Sequence, residues 1–187
     1  MSFRRPIVVV CLFLLLAGCG GSRREPTQQA LDFRKAMMEA DACSFTARVT
    51  ADFGEQVYGF TLACTHADGS TKLEVTEPEA IAGIKAVVAG RDACLEFDGV
   101  SLELGLLADG RISAVAAPWL LCQCWEGEYI AYAGADAEQQ RVTYLRGYED
   151  DQVTVDTWFR DQVPTYAEVV YDNTRCLTVE ITDFMML

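Results

Sequence analysis

The sequence predicts an α+β fold: a curved antiparallel sheet of about nine to eleven strands, with an N-terminal helix before it and an apolar helix inserted among the strands. Three observations carry this. A helical apolar period runs from Pro26 to Ala40. From Ser44 onward the period becomes two and keeps returning between turn signals. Around Pro118 the alternation gives way to a stretch that is apolar nearly all round. A sheet with one apolar face must cover it, either by curling around a helix or by packing on a second sheet.

Pro26 suits a first helical position, where its missing N–H leaves no bond unmade. Behind it Ala30, Phe33, Met37 and Ala40 recur at helical spacing, with Leu31 and Met38 beside them. Phe45, Ala47, Val49 and Ala51 then alternate with Thr46, Arg48, Thr50 and Asp52. After Phe53-Gly54 the apolar set resumes as Tyr58, Phe60, Leu62 and Cys64, which reads as a hairpin with one buried face. If Asp52 faces Glu55 across a two-residue turn, Val49 pairs with Tyr58, Ala47 with Phe60, Phe45 with Leu62, and Cys43 with Cys64.

Strand-like runs follow at Thr71 to Thr76, Ile84 to Val88, Ala93 to Asp98 and Ser101 to Leu106. They are separated by turn signals at Ala67-Asp68-Gly69, Ala89-Gly90-Arg91 and Asp98-Gly99. The inserted helix starts near Pro118 and carries Trp119, Leu120, Leu121, Cys122, Cys124 and Trp125. Arg141 to Tyr148, Gln152 to Phe159, Thr165 to Tyr171 and Arg175 to Phe184 complete a meander. No repeat or low-complexity linker divides the chain, and 187 residues suit one domain.

The first residues give an address. Arg4 and Arg5 precede an apolar stretch from Ile7 to Leu16, too short to span a bilayer, and then comes Leu16-Ala17-Gly18-Cys19. Residues 1–18 read as a signal peptide, and the last four residues resemble the lipobox of bacterial lipoproteins. Cleavage before an acylated Cys19 leaves residues 19–25 as a lipidated tether and 26–187 as the folded body. Membrane lipid is thus one partner, with the body on the extracytoplasmic side. Multiple acyl chains on one residue give stable anchoring, which a single chain does not. Losing residues 1–18 removes two basic side chains and no acid, so the net charge of −13 becomes −15. Such a chain, with no basic stretch, has nothing to neutralise phosphates and does not read as a nucleic-acid binder.

Six cysteines remain in the body, and outside the cytoplasm an even count favours disulfides. The hairpin register points to Cys43–Cys64. Cys94 and Cys176 share an outward face and could bridge only across neighbouring strands. Cys122 and Cys124 stand about 200° apart on a helix and read as buried thiols. Zinc sites pair Cys at wider spacings with further Cys or His, and redox catalysts carry C-x-x-C, so no metal or cofactor is expected. The single histidine, His66, falls in Thr65-His66-Ala67-Asp68-Gly69-Ser70, which reads as an exposed hairpin connection. With no nucleophile elbow, phosphate loop or H-E-x-x-H, and with Glu149-Asp150-Asp151 reading as a solvated turn, catalysis is not expected.

Several segments in this order carry a family likeness. They are the opening helix before Phe45-Thr46-Ala47-Arg48-Val49, the strand Leu73-Glu74-Val75-Thr76 running into Pro78, and Leu95-Glu96-Phe97-Asp98-Gly99. Pro118-Trp119-Leu120, Pro164-Thr165-Tyr166-Ala167-Glu168 and the last strand, Leu177 to Phe184, complete the set. The body resembles the superfamily of the lipoprotein carrier LolA and its membrane-anchored relative LolB. The resemblance implies an unclosed β-barrel whose apolar concave side is lidded by helices and receives acyl chains. The cysteine content and the acidity depart from the family, and Arg48, between outward-facing Thr46 and Thr50, reads as a surface residue.

Two functions follow as expectations. In the first, the concave face binds a lipid or another hydrophobic ligand, lined by Phe45, Val49, Tyr58, Phe60, Leu62, Leu73, Val75 and Phe97 with Trp119 and Trp125. In the second, the sheet encloses only its own helices and the lipoprotein tethers or positions an exported protein. The discriminator is whether Trp119, Trp125, Met37 and Met38 fill the concavity.

Overall fold

The structure, a computed structural model, describes residues 25–52, 57–90, 92–97, 100–105, 107–108, 111–148 and 152–187; of 92–93, 95–97, 100–105, 107–108 and 111–112 only the backbone is described. The signal peptide, Cys19, the Phe53-Gly54 turn, the side chain of Phe97 and the Glu149-Asp150-Asp151 run therefore lie outside the described residues.

Helix α1 spans Pro26–Glu39 with proline in its first turn and buries Ala30, Phe33 and Met37. Strand β1 is Cys43–Asp52, followed by β2 (Val57–Ala67), β3 (Ser70–Glu77), β4 (Lys85–Ala89), β5 (Asp92–Phe97), β6 (Val100–Gly105), and the short β7 (Leu107–Ala108) and β8 (Arg111–Ile112). Helix α2, Ala117–Glu126, comes next. Strands β9 (Tyr129–Asp136), β10 (Gln139–Arg146), β11 (Val153–Arg160), β12 (Val163–Tyr171) and β13 (Thr174–Met186) follow. Eleven strands form one antiparallel sheet in the order β6-β5-β4-β3-β2-β1-β13-β12-β11-β10-β9, with β7 and β8 as a separate pair. The edges, β6 and β9, do not pair with each other, so the sheet is unclosed.

The alternation that predicted the strands is the burial pattern of the sheet. Cys43, Phe45, Ala47, Val49 and Ala51 of β1 are buried, as are Leu73 and Val75 of β3, Ala86 and Val88 of β4, and Leu177, Val179 and Ile181 of β13. Arg48 is exposed. The hairpin register differs from the expectation by two residues. Asp52 pairs with Val57, Val49 with Phe60, Ala47 with Leu62, Phe45 with Cys64, and Cys43 with His66. The connection is four residues long rather than two. A shift of two leaves every side chain on its expected face, because the strand period is two.

Two features depart from a simple meander. Strand β9 was not expected, and the reason is its position: as an edge strand it has no consistently buried face, so it lacks the alternation that marks its neighbours. The second departure is at the centre, where β1 pairs with β2 on one side and with β13 on the other. The sheet is thus two meanders, β1 to β6 and β9 to β13, joined along one ladder. Since β6 and β9 stand at opposite edges, the segment between them crosses the sheet, and α2 is the body of that crossing.

Eight of the ten α2 residues are buried: Ala117, Pro118, Trp119, Leu120, Leu121, Cys122, Cys124 and Trp125. Leu121, Cys122, Cys124 and Trp125 are wholly inaccessible and belong to the same core cluster as the inward side chains of both half-sheets. Trp125→Ala is therefore expected to lower stability by about 3–5 kcal/mol, read from the urea midpoint. Met38→Ala, at a position 68% exposed, should change it by less than about 0.5 kcal/mol.

Candidate functional site

The face expected to receive a ligand is occupied by aromatic side chains of the chain itself. The Trp125 ring lies 5.9 Å from Phe33, 5.9 Å from Phe45 and 5.9 Å from Phe184. Phe33 in turn meets Phe159 edge-on at 4.8 Å, geometries that aromatic quadrupoles favour. Of the expected lining residues, Phe45, Val49, Leu62, Leu73, Val75, Trp119 and Trp125 are buried in this core, and Phe60 packs partly against it. Tyr58 is 43% exposed, a correction to the expected wall: it stands at the start of β2 beside the hairpin connection, opposite Ala51. Of the four large side chains expected near the concavity, Trp119, Trp125 and Met37 are buried and Met38 is not.

The polar atoms on this plug are matched individually. The Trp125 indole N–H donates to Thr157 Oγ1 at 3.2 Å, and that of Trp119 donates to the Gly69 carbonyl at 3.0 Å. The Arg34 guanidinium of α1 donates to three carbonyls at the C-terminal end of α2, those of Cys124, Trp125 and Glu128. A helix end leaves such carbonyls without intrahelical donors, and a cation there also suits the helix dipole. Arg146 lies over the Trp119 ring at 4.7 Å and pairs with Glu128 at 3.1 Å. Burial pushes the Cys124 thiol and the Tyr144 hydroxyl far up from their ordinary pKa values.

The buried histidine is the second correction. His66 is 2% exposed, on β2 and not in a solvent loop. Its Nδ1 lies 2.7 Å from Thr71 Oγ1. Its Nε2 lies 3.0 Å from Glu126 Oε1 of α2, off the line of an N–H···O hydrogen bond. The signal was available: Leu62, Cys64 and His66 are in phase, and the alternation needed only one more step.

The third correction concerns the cysteines: Cys43, Cys64, Cys122, Cys124 and Cys176 are free thiols. With Cys43 opposite His66 and Cys64 opposite Phe45, the expected Cys43–Cys64 pair stands two ladder positions apart. The neighbours that act on the Cys43 thiol are instead Cys122 of α2 and the backbone of His66. The influence of Cys122 outweighs burial and holds the Cys43 thiol below its ordinary pKa. Burial pushes the Cys64 and Cys122 thiols far up. Cys94 on β5 and Cys176 on β13 lie in strands separated by four others, so they do not meet.

Polar clefts open elsewhere on the described surface. One of about 650 Å³ lies where the ends of α1 and α2 meet the β2–β3 turn, lined by Met37, Met38, Asp41, Asp68, Glu126 and Glu128 among others. Despite its carboxylates, no group of three or more Cys, His, Asp or Glu is placed to hold a metal among the described residues. Among these residues no helix is long and apolar enough to cross a membrane.

No family model matches the chain, and no curated protein does. Among solved structures it is similar to a LolA superfamily protein from Nitrosomonas europaea, at 10% identity over 88% of this chain and 94% of that one, with a TM-score of 0.46. It is also similar to the lipoprotein LppX of Mycobacterium tuberculosis, at 12% identity over 85% and 92% with a TM-score of 0.42. A third similarity is to a structure of the CwlD amidase from Clostridioides difficile in complex with the GerS lipoprotein, at 16% identity over 89% and 99% with a TM-score of 0.41. The likeness is one of fold.

Arg34→Met is expected to lower stability by about 2–3 kcal/mol, since it strips a charged donor from buried carbonyls. Arg34→Lys should recover less than half, because an ammonium cannot span three carbonyls as the planar guanidinium does. Chemical denaturation followed by tryptophan fluorescence measures both.

Proposed function

We propose that this chain is an extracytoplasmic lipoprotein, anchored through an acylated Cys19, whose body is a non-enzymatic interaction module for an exported protein. The observation that carries this reading is the burial of α2 in the concavity. A site for an acyl chain needs an apolar hollow that the protein leaves open. Along the described concave face that space holds Trp125, Trp119, Leu121, Phe33 and Phe159 at van der Waals and aromatic contact. Of two clefts on the described surface, one is rich in carboxylates and the other sets Phe45, Leu73 and Met185 beside Lys72, Glu74 and Lys85, and neither lies in the space that α2 fills.

The absence from the sequence of a catalytic motif supports a binding role over an enzymatic one, and the burial of His66, the one histidine, agrees with it. Anchoring by the lipobox cysteine supports a function exerted at the membrane surface, with residues 19–25 as the tether and 26–187 as the body.

Native mass spectrometry of the full chain, extracted from membranes in mild detergent without delipidation, tests the choice between partner and ligand. The expected body carries only the covalent acyl groups and takes up no added phospholipid or fatty acid. A reproducible non-covalent lipid adduct, lost on solvent extraction, would overturn the proposal in favour of the ligand-binding reading. Separately, Cys19→Ala is expected to move the protein from the membrane fraction to the soluble fraction, which immunoblotting of the two fractions reads directly.

A further inference from the structure

The region where α2 meets β1 and β2 holds a cluster of His66, Glu126, Cys43 and Cys122. Three geometric facts bring two of its thiols together. The ladder sets Cys43 opposite His66. The His66 imidazole reaches across to Glu126 on α2 at 3.0 Å. Cys122 is four residues before Glu126, one helical turn, so both lie on the same face of α2. The Cys43 and Cys122 side chains are thereby brought to the same side of His66, close enough to act on each other electrostatically, and both residues are buried. Cys124, about 200° around the helix, faces the Arg34 and Arg146 side instead.

We infer that Cys43 and Cys122 are a disulfide-forming pair, a covalent staple between the first strand of the sheet and the helix that fills it. The step balances simply. Each thiol gives up its proton, the two sulfur atoms join, and the two electrons released reduce a protein disulfide of a thiol oxidase to its dithiol. The staple forms during folding, while α2 is settling and the thiols are still open to the oxidase, because in the finished fold both are sealed. Formation in the cell rests on the extracytoplasmic placement proposed above, since the cytoplasm keeps thiols reduced; the choice of partners rests only on the fold.

The pairing has a mechanical meaning. α2 is held at its C-terminal end by Arg34, and the staple fixes it again on the opposite side of the helix, so that it cannot lift from the concave face. The bridge would also close a long loop, from β1 through β6 to α2, which restricts the unfolded chain strongly.

The test uses the full chain in detergent, reduced, unfolded in guanidinium and refolded in a glutathione redox buffer, with remaining thiols blocked by N-ethylmaleimide before digestion. Trypsin places Cys43 in the peptide Ala36–Arg48 and Cys122 in the peptide Ile112–Arg141, and fragmentation at Gln123 separates Cys122 from Cys124. The expected result is these two peptides linked through Cys43 and Cys122 and released by reduction. Cys64→Ser should leave the link intact, Cys122→Ser should abolish it, and the bridged chain should melt on the order of 10 °C above the reduced one. Six blocked thiols in the refolded body, or a link from Cys43 to Cys64 or to Cys124, would overturn the inference. The mass of the N-terminal peptide from protein taken directly from cells reports acylation at Cys19 independently, so failure of the anchoring proposal is seen there and not in the refolded chain.

Discussion

After β6 the chain stands at one edge of an open sheet, and β9, where the sheet next resumes, is at the other. This crossing is the constraint on which the rest of the structure depends. The connection has to pass over an apolar face, and extended backbone lying there would bury peptide groups without partners. A helix satisfies its own backbone and can be apolar on every side, which is what Ala117 to Trp125 supplies. The same segment therefore completes the topology, supplies the largest side chains of the core and takes up the volume that a guest would need.

A helix laid into a core still presents polar atoms at its ends and on its indoles, and the fold meets those of its C-terminal end and of its two tryptophans locally. Arg34 serves the C-terminal carbonyls, Gly69 and Thr157 accept from the two tryptophans, and Glu126 meets His66. These partners come from α1, the β2–β3 turn, β11 and β2, so the polar matches of one helix tie both halves of the sheet to it. A buried polar network of this kind is costly when partly satisfied, and it ties the helix to one position in a face whose apolar contacts are far less directional.

What the sequence made legible follows from periodicity. The two helices, the strands with one buried face and the inward set from Phe45 to Val75 were readable because burial on one side imposes a period of 2 or 3.6. Strand β9 was not readable, since an edge with no consistently buried face imposes no period. The turn between β1 and β2 was misjudged by two residues, and with it the partner of Cys43, because parity alone does not distinguish registers that differ by two. His66 was placed in a loop on the strength of the neighbouring Asp68-Gly69, although its phase with Leu62 and Cys64 put it inside. The Cys43–Cys122 contact joins positions from a strand and a helix, and no local pattern encodes such a meeting.

The central ladder has a kinetic consequence. It pairs β1 with β13, the first strand with the last, so the middle of the sheet consists of contacts between the most distant parts of the body. Such contacts close late, because most of the loop entropy is lost before they form. A chain emerging from a translocation channel with its first strands leading would expose β1 without its neighbour until Thr174–Met186 had followed. On the extracytoplasmic placement proposed above, completion of the fold is thereby tied to completion of export. Over that interval the proposed tether, residues 19–25, would have time to reach the membrane surface while the body behind it is still unfinished.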